Sequence, residues 1–373
     1  MYSRYLQLNK ETESSLFLFG ARQTGKSTIL RKEFPKSVFI DLLDSELRMR
    51  FKRRPSLLYE SNTIVVIDEI PEVPELLNEV HRLISEKDII FVLCGSSARK
   101  LKRKGYNTLG GRAYPCYFYP LTSNEITDFD LDRALTYGLL PTHYLAKNPK
   151  RLLAAYVNVY LKEEIQEEAL ARNLTGFHRF LEIAALTNGE IVNYANIASE
   201  CGVSAQTIKS YFGILEDTLV GYMIPAYTKV MKRRLVQAPR FYFFDVGLTN
   251  HLLHRDALVR GTPEYGHAFE HFIIMELIAY IGYNHKEEQL SYWRTHTGVE
   301  VDVVIGNAKL AIEIKSADEI AKRHMKGLKS FGDDYPDCRK IIVSLDRINR
   351  KEDDIELIYV HDFLKMLWND ELF

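Results

Sequence analysis

Eight residues near the start of the chain constrain its fold more than any others. Gly20-Ala21-Arg22-Gln23-Thr24-Gly25-Lys26-Ser27 fits the pattern G-x-x-x-x-G-K-[ST]. The apolar run Ser15–Phe19 precedes it and a helical stretch, Thr28–Phe34, follows. The segment therefore reads as a buried strand, a glycine-rich loop and a helix N-terminus. Gly20 and Gly25 let the backbone turn so that amide N–H groups face phosphate oxygens, and the helix dipole favours the same negative charge. Lys26 is placed to reach β- and γ-phosphates and Ser27 to ligate Mg²⁺, so Gly20 through Ser27, with Thr28, form the expected nucleotide site.

Three further runs, Val38–Leu42, Thr63–Ile67 and Ile89–Cys94, are rich in Val, Ile and Phe and apolar on both faces. Together they predict buried parallel strands in an α/β unit. One of them ends in Asp68-Glu69. At a strand end these are either a solvated acidic pair or, beside phosphates, a Mg²⁺ ligand (Asp68) and a group that polarises the attacking water (Glu69). The pair favours nucleotide hydrolysis over mere retention. Ile89–Cys94 runs into Gly95-Ser96-Ser97, where a hydroxyl either senses the γ-phosphate or belongs to a plain turn.

The chain has 373 residues, enough for two to three domains. Lys+Arg number 49 and Asp+Glu 50, which excludes a polyanion binder driven by bulk charge and leaves only local basic patches. Cys94, Cys116, Cys201 and Cys338 are dispersed with no C-x-x-C, arguing against a disulfide framework or zinc knuckle and for a reducing cytoplasm. No leader is read in Met1–Lys10, no apolar run approaches the ~18 residues of a membrane helix, and no metal site is read among the histidines.

The P-loop, Ile64–Ile70, Cys94-Gly95-Ser96-Ser97-Ala98-Arg99, Leu109-Gly110-Gly111-Arg112 and Tyr119-Pro120-Leu121-Thr122 resemble prokaryotic AAA+-like ATPases whose C-terminal half is a domain of unknown function. The resemblance spans nearly the whole chain. It implies a sheet in which a sensor strand separates the Asp68-Glu69 strand from the P-loop strand. It also implies Ser96 as the sensor, and Arg112 as a phosphate-sensing or finger arginine, with a surface ion pair as the alternative role for Arg112.

Asn193–Val220 predicts a helix-turn-helix: Ala198 at the crossing, Gly202 in the turn, Val203 as core plug, Ser204 as cap, then Ile208, Phe212, Leu215 and Leu219 at helical spacing. Tyr222–Tyr227 and Phe241–Phe244 are expected to pair as a wing around Lys229, Lys232, Arg233 and Arg234, with Arg240 just after. A winged helix presents Gln206, Thr207, Lys209 and Ser210 to double-stranded DNA, or docks a protein partner.

Glu270 sits on or beside the apolar stripe of the helical stretch Glu264–Tyr283. Glu300 and Asp302 occupy one face of the strand Val299–Ile305, and Glu313 and Lys315 one face of Lys309–Ser316. A two-residue turn at Gly306-Asn307 pairs Glu300 with Glu313 and makes Asp302 its diagonal neighbour, a repulsion that a divalent cation relieves. The arrangement is similar to the PD-(D/E)xK restriction-endonuclease-like fold, with Val301 in place of the proline. The resemblance implies Glu270, Asp302 and Glu313 as Mg²⁺ ligands and Lys315 as the group that positions water, in an active nuclease or an inactive scaffold.

The expected architecture is α/β: a P-loop AAA+-like domain (1–123), a helical lid or linker (124–175), a winged helix (176–246) and a nuclease-like domain (247–373). The expected activity is Mg²⁺-dependent ATP hydrolysis coupled to DNA binding. The alternatives are an ATP-gated nuclease and a slow nucleotide-dependent switch.

Overall fold

Residues 2–8, 14–58, 64–87, 89–96, 111–164, 174–228 and 237–373 are described by a computed structural model, without the side chains of 162–164 and 174. β1 (Ser15–Phe19), β2 (Val38–Asp41), β3 (Ile64–Asp68), β4 (Ile90–Gly95) and β5 (Ala113–Tyr117) form a parallel sheet in the order β2-β3-β4-β1-β5. Leu16, Leu18, Val66 and Val92 face one apolar cluster; Phe17, Phe19, Val65, Ile67 and Phe91 face another. Both faces are buried, which is why these strands read as apolar throughout. β4 does lie between β1 and β3, so the strand ending in Asp68 is set one strand away from the P-loop strand. The sequence reading omits β5. It is an edge strand, where Pro115 costs no internal ladder bond.

The middle of the chain is helical. Helices Leu131–Tyr137, Pro141–Tyr144 and Pro149–Ala155 lead into a π-helical segment, Tyr156–Glu164. Leu174–Leu186, Tyr194–Cys201 and Ala205–Asp217 follow. The turn between the last two is the expected one: Gly202 is left-handed (φ 65°), and the Ser204 side chain accepts from the Thr207 N–H. β6 (Gly221–Ile224) pairs antiparallel with β7 (Arg240–Phe243), and Phe241 stacks edge-on against Phe212 at 4.9 Å. Of the proposed wing, Lys229, Lys232, Arg233 and Arg234 lie outside the described residues.

Helix Val246–Leu252 begins at Asp245 and packs against Leu131–Tyr137 with no room for side chains at the crossing. A Cβ on Gly247 would fall 2.2 Å from Tyr137 O, and one on Gly138 2.0 Å from Asp245 Oδ1.

The third unit opens with helix Pro263–Tyr283, capped by Thr262 and buried on most sides. Behind it lie β8 (Leu290–Arg294), β9 (Glu300–Ile305), β10 (Leu310–Lys315), β11 (Arg339–Ser344), β12 (Arg350–Glu352) and β13 (Ile355–Tyr359). They form one mixed sheet ordered β12-β13-β11-β10-β9-β8. Helix Val360–Trp368 closes the chain. One continuous apolar cluster runs from Leu18 through Ile274 to Ile312 and Phe363, so this helix and sheet share a core with the P-loop unit.

The β9–β10 hairpin corrects the expected register. Leu310 pairs with Ile305 and Ile312 with Val303, so Gly306–Lys309 form a four-residue turn, with Gly306 and Ala308 at φ 60° and 59°. That register sets Asp302, not Glu300, opposite Glu313. Among the described residues, no helix is long and apolar enough to cross a membrane.

Candidate functional site

The P-loop is shaped by its two glycines. A Cβ on Gly20 would sit 2.4 Å from Phe118 O, and Gly25 adopts φ 98° to open helix Lys26–Glu33. Lys26 is buried and its Nζ donates to Gly20 O (2.8 Å) and Ala21 O (3.0 Å), so the ammonium is held inside its own loop. Thr24 Oγ1 also donates to Ala21 O. Gln23, Ser27 and Thr28 are exposed. The middle unit packs on the other side. Ala21 joins the cluster of Leu140 and Tyr156, and the Arg22 guanidinium lies 5.1 Å over Tyr160.

The carboxylates sit at the same end of the sheet. Asp68 is buried at the tip of β3, and its Oδ1 accepts the Glu69 N–H. Glu69 is left-handed (φ 54°), which turns its side chain toward β4: Oε2 accepts from both N and Oγ of Ser96 at 3.4 Å. Burial pushes the Glu69 carboxyl above its ordinary range, while the Lys26 charge opposes that rise. Lys26, Asp68, Glu69 and Ser96 thus converge as expected. The Ser27 hydroxyl and Asp68 carboxylate are oxygen donors of the kind Mg²⁺ takes.

Arg112 does not join them. It precedes Ala113, which pairs with Ser15 at the start of β1, about 13 Å of strand from the P-loop end. Arg112 is exposed there. Ser97, Ala98, Arg99, Leu109 and Gly110 lie outside the described residues.

A cavity of about 220 Å³, missed in the sequence, opens beside the P-loop between Tyr2, Gly25, Thr28, Ile29, Lys32, Pro141 and Leu145. Its only sequence signal is the helical face Gly25, Thr28, Ile29, Lys32. Arg4 borders it and ties three parts of the chain together. Its guanidinium donates to Thr24 O (2.7 Å), Tyr119 O (2.8 Å) and the Tyr283 hydroxyl (3.0 Å), and pairs with Glu125 at 3.0 Å. Glu276, buried in the long helix, accepts from Ser123 N, Ser123 Oγ and Trp368 Nε1.

Glu270, Asp302, Glu313 and Lys315 also come together, but around a cation the sequence reading assigned elsewhere. Arg240, expected beside the basic wing, points inward from β7. It meets Glu300 at 2.8 Å, Glu270 at 3.5 Å and Asp302 at 3.9 Å. Lys315 bridges Glu313 (2.7 Å) and Asp302 (3.5 Å), and Arg294 holds Glu300 at 3.3 Å. Tyr242 donates to Glu270, and Asp302 Oδ2 accepts the Ile314 N–H. Burial, and after it the nearby charge of Asp302, raises the carboxyls of Glu270 and Glu313. Among the described residues, no three His, Cys, Asp or Glu side chains are arranged to hold a metal ion. The three carboxylates expected to ligate Mg²⁺, Glu270, Asp302 and Glu313, are thus each in contact with a guanidinium or ammonium group of the chain itself.

The histidine reading also overlooked a pair. His267 and His271 stand four apart on the long helix. His271, however, is buried and committed through Nε2 to Phe243 O and through Nδ1 to Asn188.

Residues 12–127 match a family model described as "AAA domain", 128–258 one described as "Domain of unknown function (DUF8612)", and 265–363 one described as "Domain of unknown function (DUF4143)". No curated relative matches the chain. Among solved structures, a STAND signal-transduction ATPase with a tetratricopeptide repeat sensor from Pyrococcus horikoshii is 13% identical, with a TM-score of 0.22. That alignment covers 70% of this chain and 46% of that one, so the chain spans less than half the length of that protein. The Bacillus subtilis DNA clamp loader delta protein is also 13% identical with a TM-score of 0.22, over 56% of this chain and 85% of that one. Likenesses of that order leave the fold to rest on the sheet order and the family match. P-loop, strand order and matched model together make the N-terminal unit of this chain an AAA-type, ATP-binding P-loop ATPase domain.

Proposed function

We propose that the chain hydrolyses ATP and couples the cycle to duplex DNA through the middle unit. The observation that carries hydrolysis is the Glu69 carboxylate, fixed by Ser96 beside Lys26 and Asp68. On ATP binding, Lys26 exchanges the carbonyls of Gly20 and Ala21 for β/γ-phosphate oxygens. Ser27 and Asp68 would hold Mg²⁺, which supplies countercharge to the phosphates when bound. Glu69 orients the attacking water and takes its proton, while Ser96 reports the γ-phosphate to Glu69. The cavity at Tyr2, Ile29 and Leu145 accommodates the part of the nucleotide that is not phosphate. Arg112, exposed at the far end of the sheet, is placed either to act on the phosphates of a second copy of the chain or to serve as a surface ion-pair partner. The free, buried cysteines suit a reducing cytoplasm.

DNA binding rests on a winged-helix reading of Tyr194–Asp217 with the β6–β7 hairpin, in which Gln206, Lys209 and Ser210 are exposed. The test is ATPase rate against a panel of nucleic acids, with binding isotherms at several salt concentrations. Neutralising Lys232, Arg233 and Arg234 lowers the magnitude of the salt slope by ~1 for each phosphate no longer neutralised. An unchanged slope transfers the middle unit to protein docking. Of the two alternatives, the cation-filled C-terminal cluster favours a nucleotide-dependent switch with a non-cleaving C-terminal unit over an ATP-gated nuclease.

A further inference from the structure

We propose that Arg240 is the resident cation of the C-terminal carboxylate cluster. In this reading the β8–β10 sheet is an internal guanidinium socket that receives strand β7, and it admits a divalent metal only when Arg240 is withdrawn.

Charge comes first. Glu270, Glu300, Asp302 and Glu313 supply four carboxylates, and Arg240, Arg294 and Lys315 already supply three cations in contact with them. With all of them ionised, a further divalent ion would turn the cluster from net negative to net positive in a pocket where Asp302 and Glu313 are 4% and 7% exposed.

Geometry comes second. The Arg240 side chain is 5% exposed, touches three of the four carboxylates and lies with its guanidinium carbon 4.6 Å over the Tyr292 ring. Lys315 takes one oxygen of Glu313; the other, Oε2, is buried without a hydrogen-bond partner. It faces Gly327, where a Cβ would lie 3.3 Å from it, while Oε1 shares the Lys315 ammonium with Asp302.

Delivery comes third. β7 brings Arg240 and Tyr242 to the same cluster, Tyr242 donating to Glu270, and the strand is anchored from the middle unit by pairing with β6. The socket therefore joins the middle unit to the C-terminal sheet by charge as well as by apolar packing.

The experiment is calorimetric titration of the full-length, nucleotide-free chain with Mn²⁺, with thermal unfolding recorded in parallel. Wild type is expected to show no Asp302-dependent Mn²⁺ binding up to millimolar concentration and no Mn²⁺-dependent change in Tm. Arg240→Met is expected to gain a site at least tenfold tighter than any seen in wild type, to lose it again in Arg240→Met/Asp302→Asn, and to have its Tm raised by Mn²⁺. Sub-millimolar Mn²⁺ binding by wild type that disappears in Asp302→Asn overturns the proposal. So does a folded Arg240→Met chain whose Mn²⁺ affinity is that of wild type. If Arg240→Met does not fold alone, Arg240→Gln refolded with and without Mn²⁺ takes its place: a higher folded yield with the ion supports the socket, and equal yields overturn it.

Discussion

At the P-loop a single buried ammonium is turned onto two loop carbonyls, with Ser27 and Thr28 open to solvent beside it. At the C-terminal cluster three cations are already distributed over four carboxylates, and the central members are buried. Carbonyl partners are weak competitors for an ammonium, and phosphate oxygens displace them readily; carboxylate partners are strong ones. The first site is therefore held ready for an outside anion, while the second is closed by the chain's own charges. Similar residue types, acids beside a lysine, serve exchange in one place and cohesion in the other.

The sharpest break between the two should come from paired substitutions. Lys26→Ala removes the cation facing the phosphates and is expected to lower ATP affinity by roughly a hundredfold or more. Glu69→Gln should keep binding and slow hydrolysis by about 10²- to 10⁴-fold, since only proton transfer is lost. Fluorescent-nucleotide titration and phosphate release measure these, and a Glu69→Gln chain that hydrolyses at the parental rate removes Glu69 from its role. Asp302→Ala should do the reverse. It strips a partner from Arg240 and Lys315 and the acceptor from Ile314 N–H, costing about 3–5 kcal/mol in urea unfolding, with ATP hydrolysis per folded molecule unchanged. A loss of hydrolysis there would show that the two sites are not separable.

The smallest effect concerns Glu276, whose carboxyl is pushed up to about 7 by burial despite its bonds to Trp368 and Ser123. A raised folded-state value means the folded chain binds more protons, so this contribution is whole below the ordinary carboxyl value of 4.5 and fades as pH rises through about 7. The shift corresponds to roughly 3 kcal/mol between pH 4.5 and 8. Glu276→Gln should flatten the fall in unfolding free energy over that window, whatever its effect at a single pH. Equal slopes for variant and wild type would place the pH dependence elsewhere.

Much of the N-terminal fold was legible because strands buried on both faces must be apolar at every position, as Leu16-Phe17-Leu18-Phe19 is. The helix turn at Gly202 and Ser204 was legible because its cap chemistry is local. β5 was not, since Ala-Tyr-Pro-Cys-Tyr at a sheet edge is half exposed and carries a proline. The hairpin register failed on Ala308, a residue whose left-handed conformation no local rule anticipates. Arg240 was misplaced for a different reason. A basic run, Lys232 to Arg234, lies six to eight positions before it, but its partners Glu270, Glu300 and Asp302 lie 30 to 62 positions away, and charge patterning along a chain says nothing about pairing at that range.

Arg4 bears on how such a chain can be divided. One side chain, four residues from the start, grips the P-loop carbonyl of Thr24, the Tyr119 turn and Tyr283 at the end of the long helix. The matched segments 12–127 and 265–363 begin after it. Cutting at those borders leaves the nucleotide loop without its brace and opens the apolar cluster that runs from Leu18 to Phe363. Recombination that swapped this ATPase unit for a foreign one would have to rebuild the same clasp between Thr24, Tyr119 and Tyr283.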